Sequence, residues 1–161
     1  MVKAGDRALA AGAPAPDVPL PAALALGALG LLSIWANYDA DLQRMRVRAS
    51  KGAMAVWGAP AVVVMAPYVT EAGEARTSVL LASGWWGLAS HFHYVPEIAA
   101  ALCWSLPAGA ASAMPYLYLA FLCVLLLDRA YRDDARCAAK YGKAWERYRA
   151  LVPYKIVPGL V

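Results

Sequence analysis

The sequence predicts an all-α integral membrane protein with a small cytosolic β-hairpin-like insertion, and three observations predict it. First, 61% of the residues are hydrophobic and 16% charged, against about 25% charged in an ordinary soluble chain. Mean hydropathy is +0.48. Second, uncharged stretches recur at residues 18–38, 77–96 and 98–127. Third, basic residues gather directly after two of them. Arg44, Arg46, Arg48 and Lys51 follow the first, and Arg129, Arg132, Arg136, Lys140, Lys143 and Arg147 follow the last. Such flanks mark the cytosolic ends of membrane helices.

Charge and cysteine content narrow the classes further. The net charge of +4 is modest and clustered, which suits a membrane surface or a phosphate and argues against a nucleic-acid partner. Cys103, Cys123 and Cys137 lack metal-ligand spacing and cannot all pair, so a reducing, cytosol-facing side is the simpler expectation. Lys3 and Arg7 precede the Pro-rich AGAPAPDVPLP without an apolar core, so no cleavable signal is expected.

Residues 1–17 read as a flexible Ala/Gly/Pro-rich tail. Residues 18–38 are long enough to span a hydrocarbon core of ~30 Å. Gly27 and Gly30 permit close helix packing, and Trp35 and Tyr38 suit an interfacial aromatic belt. Residues 39–76 read as a cytosolic loop. Within and beyond it, two β-branched runs flank a Glu-Ala-Gly-Glu turn, which predicts a short hairpin. Residues 77–127 are expected to be membrane helices, broken at 107–115 by Pro107, Gly109 and Pro115. Residues 128–161 form a cytosolic helix, which could hold an anionic cofactor, and an irregular tail.

Read as a helix, residues 128–148 put their six basic side chains in one stripe, with Asp133, Cys137, Tyr141 and Tyr148 on a neighbouring face. An ordinary positive flank explains the stripe equally well. His91, His93 and Tyr94 at membrane depth point to a protein interior or cavity. Two residues apart on a helix, the histidines would diverge by about 200°, so no metal site is expected. Dinucleotide, P-loop, nucleophile-elbow and zincin motifs do not occur.

GWWGLASHFHYVPEI, MPYLYL, LLLDRAYRDDARCAAKYGKAWERY and VPYKIVPGLV resemble the C-terminal signature of the membrane sterol reductases. NYDADLQRMRVRASKG and VWG upstream match in the same order, so the resemblance covers nearly everything after about residue 20. HFHYVPE and PGLV are most similar to the plant and algal Δ7-sterol (7-dehydrocholesterol) reductase type, and less similar to the Δ14 type.

The resemblance implies the C-terminal portion of a multi-span helical bundle in the endoplasmic-reticulum membrane, with its cofactor side cytosolic. It implies NADPH-dependent reduction of a sterol ring double bond. The implied partners are a 5,7-diene sterol, membrane lipid and the N-terminal helices of the same protein. Residue by residue, it implies cofactor contacts at Arg44, Arg48, Leu81, Trp86, His93 and Tyr94. Further contacts are implied at Asp133, Cys137, Ala138, Ala139, Lys140, Tyr141 and Tyr148, with Lys140 the stripe member expected to reach the cofactor. Asp133 could bind a ribose hydroxyl or the amide, or relay a proton; no catalytic acid is assigned. Ser90 stands where the family usually has Arg, Ala53 and Met54 replace a basic-Cys pair, and Ala144 replaces an Asp. Two alternatives stand beside this reading. An isoprenylcysteine-type methyltransferase would need an Arg-His-Pro-like motif and a Glu pair where SHFHY and RDDARC stand. A non-catalytic membrane module would lack the sterol pocket.

Overall fold

The computed structural model describes residues 18–109 and 113–160, so the tail expected at 1–17 lies outside the described residues. Helix α1 is Leu20–Ala49. Pro21 falls in its first turn, where a missing N–H costs little. No breaker follows before residue 50, so the stretch expected as loop from residue 39 continues the helix. Ala, Leu, Gln, Arg and Met there are good helix formers, and Arg44 pairs with Asp41 at 2.9 Å one turn away. The helix ends where Lys51 and Gly52 take positive φ and the Gly52 N–H donates to Val47 O at 2.9 Å. A Cβ on Gly52 would meet Val63 at 2.9 Å, so the turn and the close approach both require glycine.

The insertion is two antiparallel ribbons. Strands β1 (Ala55–Val56) and β2 (Ala59–Pro60) pair around Trp57 and Gly58, and both turn residues have positive φ. Strands β3 (Val63–Val69) and β4 (Ala75–Leu81) pair from Val63 opposite Leu81 to Val69 opposite Ala75. Residues 77–81, expected at the start of a membrane helix, are therefore strand. The β3 partner supplies the pairing that a lone apolar run does not announce. Pro67 is tolerated because a two-stranded ribbon consists of edges.

Side chains alternate across the longer ribbon, and both faces are used at its base. Ala66 and Leu80 pack on Ala144, Trp145, Tyr148 and Val152. Val79 and Leu81 pack with Val47, Val56 and Trp86. The ribbon is thereby wedged between the end of α1 and the C-terminal segment.

Three helices and a final short one follow: α2 (Trp85–Leu88), α3 (Tyr94–Ser105), α4 (Met114–Tyr141) and α5 (Lys143–Leu151). A single 3₁₀ turn, Leu106–Ala108, carries Pro107 at the expected break. Ser105 Oγ lies 2.9 Å from Ala101 O and 3.1 Å from Pro115 O, so its single proton can be donated to either, and the second contact ties α3 to the start of α4. Helix α3 packs on both α1 and α4, with Gly30 so close to Cys103 that an added Cβ would sit 3.6 Å from its Cβ. Helix α3 has 12 residues, about 18 Å, whereas the 28 residues of α4 make about 42 Å. The region expected as one helix over 128–148 is split at Gly142, whose φ of +49° separates α4 from α5. The basic stripe consequently does not run straight through, because Lys143 and Arg147 belong to α5.

Helices α1 and α4 are long and apolar enough to cross a membrane, yet only 11% and 17% of their apolar windows are buried. A core helix of a soluble protein would be mostly covered. Here Leu31 and Val124 are 70% and 68% exposed, surface that water would penalise and lipid accepts. The chain is a membrane protein with a mostly helical fold and two small ribbons.

Candidate functional site

At the polar end of the helices, α1, β4, the α2–α3 segment, α4 and α5 enclose a cavity of about 300 Å³. Helix α1 contributes Arg44 and Arg48, one turn apart. Helix α4 contributes Arg129, Asp133, Cys137 and Tyr141, four residues apart and hence on one face. Strand β4 adds Leu80 and Leu81. The α2–α3 segment adds Trp86, Ser90, His91, His93 and Tyr94, and α5 adds Trp145 and Tyr148.

The tryptophan pair is fixed by backbone geometry. Gly84 has a φ of +62°, and a Cβ there would lie 2.2 Å from Gln43 Oε1. That vacancy lets Gln43 Oε1 accept from the Trp85 N–H at 3.1 Å. Trp85 Nε1 donates to Asp39 Oδ2 at 2.7 Å, and Trp86 Nε1 donates to Ala40 O at 2.7 Å. Consecutive indoles are thus pinned to successive residues of α1. The Trp86 ring then carries the Arg44 guanidinium 4.3 Å from its centroid, a cation–π contact. Arg48 Nε donates to Val79 O at 3.3 Å. Tyr148 OH donates to Trp86 O at 3.4 Å, and burial raises its phenol pKa.

The histidines face an aromatic wall. His93 lies 4.9 Å from Trp86 and 4.3 Å from Tyr94, centroid to centroid. Burial, reinforced by nearby His91 and Arg44, lowers its pKa to about 3, so the ring is neutral at physiological pH. Its Nδ1 is buried without a hydrogen-bond partner among the described residues, a cost that a ligand could relieve. His91 Nε2 lies 3.7 Å from Asp133 Oδ2, and its Nδ1 lies 3.2 Å from Ser90 Oγ. Burial lowers the His91 pKa, and the Asp133 charge opposes that shift.

Ten of the thirteen residues expected at a cofactor site line this cavity. Ala138, Ala139 and Lys140 do not. They lie on the exposed side of α4, and the Lys140 ammonium sits 4.0 Å over the Tyr68 ring. Lys140, the stripe member expected to reach the cofactor, thus lies outside the lining, whereas Arg129 lines the cavity and has no ion-pair partner among the described residues. Arg129 stands four before Asp133, so the same periodicity that singled out the Asp133 face contains it. Ser90, His91, Leu80 and Trp145 were also unassigned. Trp145 and Leu80 reach the cavity only through α5 and ribbon packing, which no local pattern encodes. Ala144, in place of an acidic residue, is buried against the ribbon, and Met54 packs on the Val47 cluster. Among the described residues, no group of His, Cys, Asp or Glu could hold a metal ion.

Residues 39–161 match the model of the family described as "Ergosterol biosynthesis ERG4/ERG24 family". The chain belongs to that family. It is 51% identical to the 7-dehydrocholesterol reductase of Arabidopsis thaliana over 131 residues, 81% of this chain and 30% of the relative. It is 40% identical to the Delta(14)-sterol reductase of Methylotuvimicrobium alcaliphilum over 142 residues, 88% of this chain and 31% of that protein. The 7-dehydrocholesterol reductase of Xenopus laevis is 34% identical over 144 residues, 89% of this chain and 30% of that protein. The chain thus spans about a third of the length of these sterol reductases. These matches give the methyltransferase alternative no support. Every lining residue of the cavity falls inside the family match.

Proposed function

We propose that this chain forms the NADPH-binding part of a Δ7-type sterol reductase, which reduces a ring double bond of a 5,7-diene sterol. The observation that carries the cofactor half is the cavity's lining: Arg44 and Arg48 from α1 and Arg129 from α4, together with an aromatic cluster that holds a neutral histidine. Three guanidiniums offer forked donors to phosphate oxygens. The rings and the unpartnered His93 Nδ1 suit a flat polar ring system entering an otherwise apolar end. The substrate half is supported by the 51% identity to a protein named 7-dehydrocholesterol reductase. An endoplasmic-reticulum location with the cavity on the cytosolic side is part of the same proposal and agrees with the basic flanks.

When bound, NADPH supplies a hydride from its nicotinamide, and the protein supplies orientation and electrostatics. Arg44 and Arg48 hold anionic groups, with Arg44 itself braced on Trp86. Trp86, Tyr94 and Trp145 exclude water from the inner end. Asp133 Oδ2 lies beside His91 Nε2 while its Oδ1 pairs with Arg136, and at this position the carboxylate can accept a hydrogen bond from a ribose hydroxyl. Tyr148 serves to hold the Trp86 backbone, since its hydroxyl is already donated inward.

A chimera tests the whole reading. The matched 30% of the Arabidopsis relative is replaced by this chain, and reduction of 7-dehydrocholesterol with NADPH is measured in membranes. Turnover is expected. Retained NADPH binding with no turnover would favour the non-catalytic module. Binding of S-adenosylmethionine in place of NADPH would favour the methyltransferase.

A further inference from the structure

Two adjacent aspartates on α4 face different neighbours. Asp133 lines the cavity, whereas Asp134 turns to the C-terminal segment. Its Oδ1 accepts from Trp145 Nε1 at 3.0 Å and lies 3.8 Å from Arg149 Nε, and its Oδ2 lies 3.2 Å from Lys155 Nζ. Three donors from three positions meet one carboxylate that is only a quarter exposed. A charge so placed holds its partners far more firmly than an exposed pair does.

What Lys155 does next reaches the site. Its carbonyl accepts from the His91 N–H at 2.7 Å, and the Tyr154 carbonyl accepts from the Ser90 N–H at 3.0 Å. Ser90 Oγ lies a further 3.4 Å from the Lys155 carbonyl. Arg149 Nη2 also donates to Pro153 O at 2.7 Å, and the side chain of Ile156 is buried beside Tyr94 and Ala130. The tail is thus stitched to α4 on one side and carries the backbone of Ser90 and His91 on the other. Among the described residues, nothing else polar secures those two backbone N–H groups.

We infer that Asp134 is a positioning residue: through Lys155 and the C-terminal tail it sets His91 against Asp133 at the cavity. The role rests on the cofactor reading above only for its consequence on NADPH; the mechanical link does not. Asp134 acts at one remove, and no part of it needs to touch a ligand. A neutral amide at 134 keeps the Trp145 hydrogen bond and loses the hold on Lys155, so the tail slackens where His91 hangs from it.

The 161-residue chain has two histidines, so its imidazole NMR in nanodiscs gives two ring signals, assigned by His91→Gln and His93→Gln. Asp134→Asn and Lys155→Met are each expected to move the His91 ring signal and leave that of His93 in place, while Lys155→Arg, which keeps charge and reach, restores it. If Asp134→Asn does not fold, the Lys155 pair decides the matter. A His91 signal unmoved by Lys155→Met, or both ring signals moving together, would overturn the inference. In parallel, NADPH titration is expected to weaken about ten-fold in Lys155→Met and recover in Lys155→Arg, the scale of one charged hydrogen bond. Wild-type protein that binds no NADPH would sink the cofactor reading and leave the ring-signal test of the tail standing.

Discussion

Helix α1 is two regions in one continuous element. Its first half shows Leu24, Leu31 and Trp35 outward, covered by little protein. Its last turns bury Ala40 and Val47 completely and offer Asp39, Ala40 and Gln43 to the tryptophan pair. Helix α4 repeats the contrast, with exposed Leu117 and Val124 at one end and Arg129, Asp133 and Cys137 at the cavity on the other. The difference teaches where specificity resides. The apolar half asks of each side chain only that it be hydrophobic. The polar half asks for particular donors, because each buried group there needs a partner.

The largest expected effect breaks that contrast at its centre. Trp86→Ala removes a buried ring, its hydrogen bond to α1 and the brace under Arg44. It should cost about 3–5 kcal/mol of stability, read from thermal unfolding in nanodiscs. Trp35→Ala, on the lipid side, should change the same midpoint little.

Charge comes next. Arg44→Ala and Arg48→Ala should each weaken NADPH about ten-fold, a charge-assisted contact being worth about 1.5–3 kcal/mol. If either guanidinium meets the 2′-phosphate, that variant loses more for NADPH than for NADH, and equal losses would rule the role out. Arg129→Ala should fall in the same range while Lys140→Ala, resting on Tyr68, should shift the titration far less. A reversal of those two would mean the basic stripe, not the cavity lining, meets the cofactor.

A smaller effect follows from the histidines. Both have pKa values lowered by burial, His93 to about 3, whereas unfolded histidine takes up a proton near pH 6.5. Above that value neither state is protonated and stability is full. As pH falls from 6.5 toward 3, the unfolded chain binds protons that the folded chain refuses, and stability declines. The unfolding midpoint should therefore drop between about pH 7 and about pH 5, and His93→Gln should flatten the decline. A midpoint that rises on acidification would contradict the neutral, buried His93. The smallest effect belongs to the lipid face, where Leu31→Ala should leave NADPH affinity unchanged.

The legible and illegible parts divide along the same line. The first span, the Glu-Ala-Gly-Glu turn and the α4 face of Asp133, Cys137 and Tyr141 could be read because each is a local period or a turn signal. The strand at residues 77–81 could not, since an apolar run becomes strand only when β3 lies beside it. Nor could the place of Arg129, rather than Lys140, in the cavity lining, because periodicity defines faces without saying which one meets α1. Gly142 hid in plain view. In KYGKAW its left-handed backbone ends α4 and swings Trp145 and Tyr148 back to the cavity. Asp134 carries no signal of its own in the sequence, and only the tail gives it work separate from that of Asp133.

NADPH binding at the polar mouth, with its three arginines and indole wall, is what everything else in the proposed function depends on. Titration of the 161-residue chain in nanodiscs with NADPH, followed by tryptophan fluorescence in wild type and Arg48→Ala, is the decisive measurement. Saturable quenching that shifts about ten-fold to higher concentration in the variant is the predicted result. No saturable binding, or binding indifferent to Arg48, would contradict it.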